Sequence, residues 1–223
     1  MNEHSVGTEV GSAEALDPGS RSRLVAGVTS VADFDRAAAV RRAVRTLIAR
    51  RGFDGASMNA VAVEAGVATG TAYTHFASKV DLVLAAYVET KGQLAYAAAA
   101  GLDRSASPHV RFRRLWLAAY RHLAANREHA LFLLQVDCSP HRISAHEAAM
   151  SRDGDPFLEQ VAAPDMAACL LPLPLEVLYE LGLGPAVRLA AGEVELGAGE
   201  LTMIADACWR AISRPVGSLE SGA

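Results

Sequence analysis

From Phe34 almost to the C-terminus, apolar residues recur three, four and seven positions apart, the spacing of one face of an α-helix. Alternating β-branched runs are absent, and the chain is rich in Ala, Leu, Arg and Glu. The pattern predicts an all-α fold. Val40, Val44, Leu47 and Ile48, at offsets 0, 4, 7 and 8, mark the first stripe, on a helix expected from about Asp33 or Asp35 to Arg51. Gly52 closes that helix, and Phe53 follows as an apolar anchor. Residues 1–32, rich in Gly, Ser, Glu and Val without a sustained period, read as a disordered leader, and residues 216–223 as a flexible tail.

Two short helical patterns come next. Ser57 fits an N-cap whose hydroxyl accepts from an orphan N–H, and Met58, Val61, Ala62 and Ala65 repeat at 0, 3, 4 and 7. Gly66 ends that helix, and a third begins a few residues later, from about Thr69 to Phe76. Two helices of this length around a tight glycine turn form a helix-turn-helix unit, at about 57–76. Ser78 and Asp81 have the Ser-x-x-Asp spacing of a capping box that opens a fourth helix. Lys79 then stands at the first helical position, where a cation meets the positive end of the helix dipole at a cost of a few tenths of a kcal/mol. It needs a compensating partner. An external phosphate would serve; the plainer reading is a solvated surface lysine, and the local sequence leaves both open.

Beyond residue 91 the chain reads as a larger helical body. Phe112, Leu115, Trp116, Ala119 and Leu123 form one stripe, Ala130 to Val136 a buried run, and Leu201, Ile204, Ala205, Cys208 and Ile212 a C-terminal stripe. Residues 140–155 read as a loop or a short mobile helix, and 175–191 as a helix bent near Gly184-Pro185. The charge divides at the same boundary. Residues 34–82 carry seven basic and four acidic residues, a net of +3, whereas the remainder carries −7. A basic head on an acidic body suggests a polyanionic partner, unless Arg41, Arg42 and Arg45 simply form a solvated helix face.

Several functions are disfavoured. No apolar run reaches the ~18–20 residues of a membrane span, and the N-terminus lacks the pattern of a secretory signal, so a cytoplasmic protein is expected. Three widely spaced cysteines give no disulfide framework. Cys138 and Cys208 read as inert residues of apolar stripes. No phosphate loop, nucleophile elbow or HExxH is present, so neither an enzyme nor a cofactor is expected. Asp137, Cys138, His141, His146 and Glu147 cluster, but at no standard zinc spacing, so no metal site is assigned.

The stretch from Arg50 to Tyr87 resembles the DNA-binding domain of TetR-type transcriptional regulators. Its most specific part is Ala65-Gly66-Val67, Gly70-Thr71, Tyr73, His75-Phe76 and Ser78-Lys79 in the family's order and spacing. The resemblance implies a three-helix DNA-binding domain over about 33–80, with the helix from Thr69 to Phe76 in the major groove. Residues 81–215 would then form the effector-binding and dimerisation domain. Ala72 and Phe76 would face inward, whereas Thr69, Gly70, Tyr73 and Thr74 would face the DNA. Tyr73 and Lys79 fit the family's phosphate-contacting tyrosine and lysine. Ser57 and Thr71 fit hydroxyl contacts, and His75 completes the expected DNA-binding set.

Two departures stand out. Ala68 replaces the usual serine N-cap, and Thr69 and Thr74 are too small for bidentate base contacts, leaving methyl, hydroxyl and DNA-shape readout. The resemblance further implies a homodimer through the last two helices, about 175–191 and 199–213, and an unknown small-molecule effector. Trp116, Tyr120, His122 and Phe132 are candidate pocket residues, or else plain core. The implied function is that of a ligand-responsive regulator, most often a repressor, binding palindromic double-stranded operator DNA. The alternative is a helical small-molecule or metal-binding protein whose helix-turn-helix no longer binds DNA specifically.

Overall fold

The computed structural model describes residues 18–215, with side chains from Asp33 onward. Among these residues twelve helices follow one another, with no strand: α1 (Pro18–Arg51), α2 (Met58–Ala65), α3 (Thr69–His75), α4 (Lys79–Ala99), α5 (Pro108–Ala125), α6 (Arg127–Asp137), α7 (Arg142–Met150), α8 (Pro156–Ala162), α9 (Pro164–Cys169), α10 (Leu175–Gly182), α11 (Gly184–Ala191) and α12 (Ala198–Ile212).

The first helix corrects the sequence reading. It is continuous from Pro18, through half of the segment read as a disordered leader. Once the second half of a helix is fixed by packing, each further residue adds a hydrogen bond cheaply, and Arg21, Arg23, Leu24 and Ala26 are good helix formers. Residues 1–17 of the expected leader and the expected tail at 216–223 lie outside the described residues.

The second half of α1 forms the expected stripe. Val40, Val44, Leu47 and Ile48 are buried, and the helix packs on α2, α4 and α6. Ser57 caps α2, its Oγ accepting the Ala60 N–H at 3.2 Å. Gly66 closes α2 at φ +68°, a left-handed conformation that strains any residue with a Cβ. That geometry lets the chain enter α3 within three residues.

Two arginines of α1, Arg41 and Arg45, are neither solvated nor free for an outside anion. Arg41 Nε donates to Glu89 at 3.1 Å, while Arg45 lies 3.6 Å from the same carboxylate and donates to Thr90 Oγ1 at 3.3 Å. Buried guanidiniums persist only where partners are supplied, and here α4 supplies them. Two of the head's cations are thus neutralised by a residue outside the head, and Arg42 remains exposed.

The spine is α4, which carries the chain from head to body and packs against α1, α5, α7 and α8. Residues 140–155, read as a loop or short mobile helix, contain α7. The predicted bend near Gly184-Pro185 is a break between α10 and α11. Pro185 sits in the first turn of α11, where its missing N–H is not needed. No described helix is long and apolar enough to cross a membrane.

The α1–α5–α6 junction carries a pH dependence. Burial lowers the His129 pKa to about 4, with Arg45 and then His122 adding to the shift and Glu89 opposing it. As pH falls from the ordinary histidine value toward 4, the unfolded chain takes up a proton that the folded chain refuses, so folding stability declines through that window. Thermal melts from pH 7 to pH 5 are expected to fall more steeply for the native chain than for His129→Gln.

Candidate nucleic-acid interface and internal cavity

The head presents one face of α3 outward. Ala72 is completely buried, and Phe76 packs partly buried against the same core. On the opposite side Gly70, Tyr73 and Thr74 are exposed, Tyr73 to 52%. Ser57 is exposed nearby, whereas Thr69, Thr71 and His75 are half-buried. Two hydroxyl protons are used within the head. Thr69 donates to Asn59 Oδ1 and Thr74 to the Gly70 carbonyl, each at 3.0 Å. Ala68 occupies the cap position of α3 without a side-chain cap bond, so Thr69 is the first helical residue and not its cap.

Lys79 is the first residue of α4, as its spacing predicts, and Ser78 Oγ accepts the Asp81 N–H at 3.1 Å. The reciprocal half of the capping box runs through side chains, the Ser78 hydroxyl donating to Asp81 at 2.8 Å. The partner that a cation at this position requires is inside the molecule. The Lys79 ammonium donates to the Phe53 carbonyl and stands 5.7 Å from the centroid of the Phe53 ring. Lys79 stays only half-buried. Phe53 in turn lies against His141, with ring centroids 6.0 Å apart. The loop after α1, the start of α4 and the entry to α7 therefore meet at one place.

The body encloses a cavity of about 300 Å³ between α4, α5, α7, α8, α9 and α10. Its walls are apolar, with Leu94, Phe112, Leu115, Phe157, Val161 and Met166 among them, and Ile212 from the end of α12 also contributes. One end is polar. Asp137, just behind the wall, accepts from Tyr87 at 3.0 Å and pairs with His146 Nε2 at 2.9 Å. The rings of Tyr87 and His146 stack at 5.8 Å, and His146 meets Tyr179 edge-on at 5.4 Å. Burial raises the pKa of both tyrosines, so each phenol is neutral and can donate. Lys91 enters this end with its ammonium 3.8 Å from the centroid of the Tyr179 ring. Burial lowers its pKa to about 8, against the opposing pull of Asp137, Asp155 and Glu180.

None of the four expected pocket residues lines this cavity. Trp116 and Phe132 are fully buried core, the Trp116 indole donating to the Gly182 carbonyl at 3.1 Å. Tyr120 stacks on Trp116, and His122 lies 6.0 Å from His129. Trp116, Tyr120 and His122 belong to α5 and Phe132 to α6, amphipathic helices whose buried sides face other helices, not a void. The Asp137–Glu147 cluster is divided in the same way. Asp137 and His146 serve the cavity end, His141 lies against Phe53, and Cys138 is exposed, contrary to its reading as a buried stripe residue. Among the described residues no group of three such side chains could hold a metal ion. Lys91 had a readable signal. It occupies offset 4 of the stripe Tyr87, Leu94, Ala95 and Ala98, an apolar face interrupted by one cation.

Comparisons with known proteins agree with this arrangement. Residues 40–86 match the family described as bacterial regulatory proteins of the tetR family, and residues 109–213 match the tetracyclin repressor-like C-terminal domain. A TetR-family transcription regulator of Shewanella sp. PV-4 is 25% identical, with a TM-score of 0.69 over 80% of this chain and 98% of that one. A TetR-family protein of Vibrio parahaemolyticus is 28% identical, with a TM-score of 0.60 over 79% of this chain and 97% of that one. The fold is also shared with a TetR-family regulator of Haemophilus influenzae, at 24% identity and a TM-score of 0.65, over 82% and 99% of the two chains. No curated protein matches the sequence. The helix-turn-helix head and the helical body match in sequence order and in shape, and the chain belongs to the TetR family of DNA-binding transcription regulators.

Proposed function

We propose that this protein is a cytoplasmic, homodimeric repressor that holds palindromic operator DNA with its two heads and releases it when a small molecule fills the cavity of the body. Tyr73 and Lys79 would bind phosphates, assisted by Ser57 and Thr71, while Thr69, Thr74 and His75 would face the groove. The outward ridge of α12 supports the dimer. Gly199, Met203, Ala207 and Ala211 recur every four residues, all exposed and all uncharged. A second copy packed on this ridge would bury it in a four-helix bundle with α10 and α11.

The observation that carries the regulatory part is the position of α7. Its middle lines the cavity through Ile143, His146 and Met150, and its entry holds His141 against Phe53, whose carbonyl takes the Lys79 ammonium. Filling the cavity would displace α7 and α4 and, with them, the seat of Lys79. Half-sites must lie about one DNA turn, ~34 Å, or a multiple apart, so a small change in head spacing would abolish simultaneous docking.

A gel shift with DNA from the protein's own upstream region, at stated salt, tests the reading. Tyr73→Phe and Lys79→Ala are each expected to weaken binding about tenfold across all sequences, because each removes a charge-assisted phosphate contact. Lys79→Ala should also reduce the salt slope by about one. Purely non-specific binding that neither change alters would favour the alternative, a helical ligand-binding protein whose head does not recognise a DNA site.

A further inference from the structure

The polar end of the cavity specifies more than an apolar ligand. We propose that the effector is an apolar monocarboxylate whose head group seats between the Lys91 ammonium and the Tyr179 hydroxyl; this rests on the reading of the cavity as the effector site. Among the described residues, no carboxylate lies within ion-pair distance of Lys91, whose close partner is the Tyr179 ring face at 3.8 Å. Every acid near the lysine inside the wall is committed elsewhere. Asp137 serves Tyr87 and His146, and Asp155 accepts the Phe157 and Leu158 amides at the start of α8. Glu176 is bound by Arg142, and Glu180 by Arg188 at 2.6 Å. Glu147 stands exposed in solvent at the rim.

A second, independent feature points the same way. The Tyr179 hydroxyl is buried and has no hydrogen-bond partner. Buried polar atoms are rarely left so. The phenol oxygen belongs to the ring over which the ammonium sits, so one carboxylate can accept from both donors at once, each bond charge-assisted. Leu94, Leu115, Phe157, Val161 and Met166 supply apolar wall for the ligand's body. A volume of about 300 Å³ is at the small end of ligand pockets, which suits an acid of modest size. A cationic ligand would place like charge on Lys91, and a neutral alcohol would leave the ammonium uncompensated.

Calorimetry of the full chain without DNA, using decanoate and 5-phenylpentanoate beside the matching alcohols and amines, tests this directly. At least one of the two acids is expected to bind no less than tenfold more tightly than its alcohol and amine. Lys91→Met should erase that preference while leaving alcohol binding within threefold, and Tyr179→Phe should weaken the acid alone by three- to tenfold. Melting curves show whether each variant is folded. Alcohols or amines that bind as well as the acids, or acids that bind Lys91→Met undiminished, would overturn the carboxylate proposal and leave the cavity reading standing. Binding of no probe at all would overturn both.

Discussion

Ala72→Glu is expected to reduce specific DNA binding to the non-specific level, a loss of at least a thousandfold. α3 has only seven residues, too few to persist without packing. It is held by the completely buried Ala72 and the half-buried Phe76 on one side. A glutamate at position 72 must either bury an unpaired charge, at several kcal/mol, or swing α3 away from α1 and α2. Either outcome removes Tyr73 and Thr74 from the exposed surface they share. The body has its own buried helices, from α5 to α12, so the variant should keep the oligomeric state of the native chain and the same binding of a cavity ligand. Tyr73→Ala, at an exposed position, gives a comparison free of folding effects and should cost about ten- to a hundredfold. Specific binding by Ala72→Glu within tenfold of the native chain would show that α3 is not the reading helix.

Lys91→Met is expected to make the free protein more stable, by about 1–3 kcal/mol at pH 7. Burial holds the Lys91 pKa at about 8, below its ordinary value of 10.5. Each unit between the two is worth about 1.4 kcal/mol, and the lost contact with the Tyr179 ring takes back about 1 kcal/mol or more. The sign follows from proton uptake. Below pH 8 the ammonium is charged in both states and the folded chain carries the whole cost. Between pH 8 and 10.5 the unfolded chain binds the extra proton, so native stability rises with pH and the cost disappears. Asp137 on α6, Asp155 ahead of α8, Glu176, Tyr179 and Glu180 on α10, His146 and Glu147 on α7, and Tyr87 on α4 are the ionisable groups around it. The variant should therefore melt about 3–8 °C higher at pH 7, with the gap closing toward pH 10. A drop in melting temperature at pH 7 would mean that Lys91 is a structural cation.

The head was legible because its signals are local. Ser57 caps α2 through an amide three residues away, Gly66 needs a left-handed turn, and Ser78 caps α4 within four residues. Spacing alone encodes such contacts. The fate of Arg41 and Arg45 was not readable, because Glu89 lies more than forty residues away on another helix. The walls of the cavity are not readable from spacing for a related reason. Trp116 and Phe132 have the composition of pocket walls, but whether an aromatic residue meets a void or another helix depends on how helices distant in sequence converge. The indole of Trp116 is satisfied by Gly182, a partner that no local pattern announces. The bend near Pro185 was visible, whereas α8 and α9, each shorter than two full turns, left no periodic trace.

Operator binding by a symmetric pair of heads is tested by footprinting of DNA fragments selected from the protein's own genome by the full chain. The expected result is a saturable, two-fold symmetric footprint with half-sites one helical turn or a multiple apart, bound by two chains and erased in the Tyr73→Ala, Lys79→Ala double variant. Uniform coating of every fragment, with no protected site at any concentration and no difference between the native chain and the double variant, would contradict it.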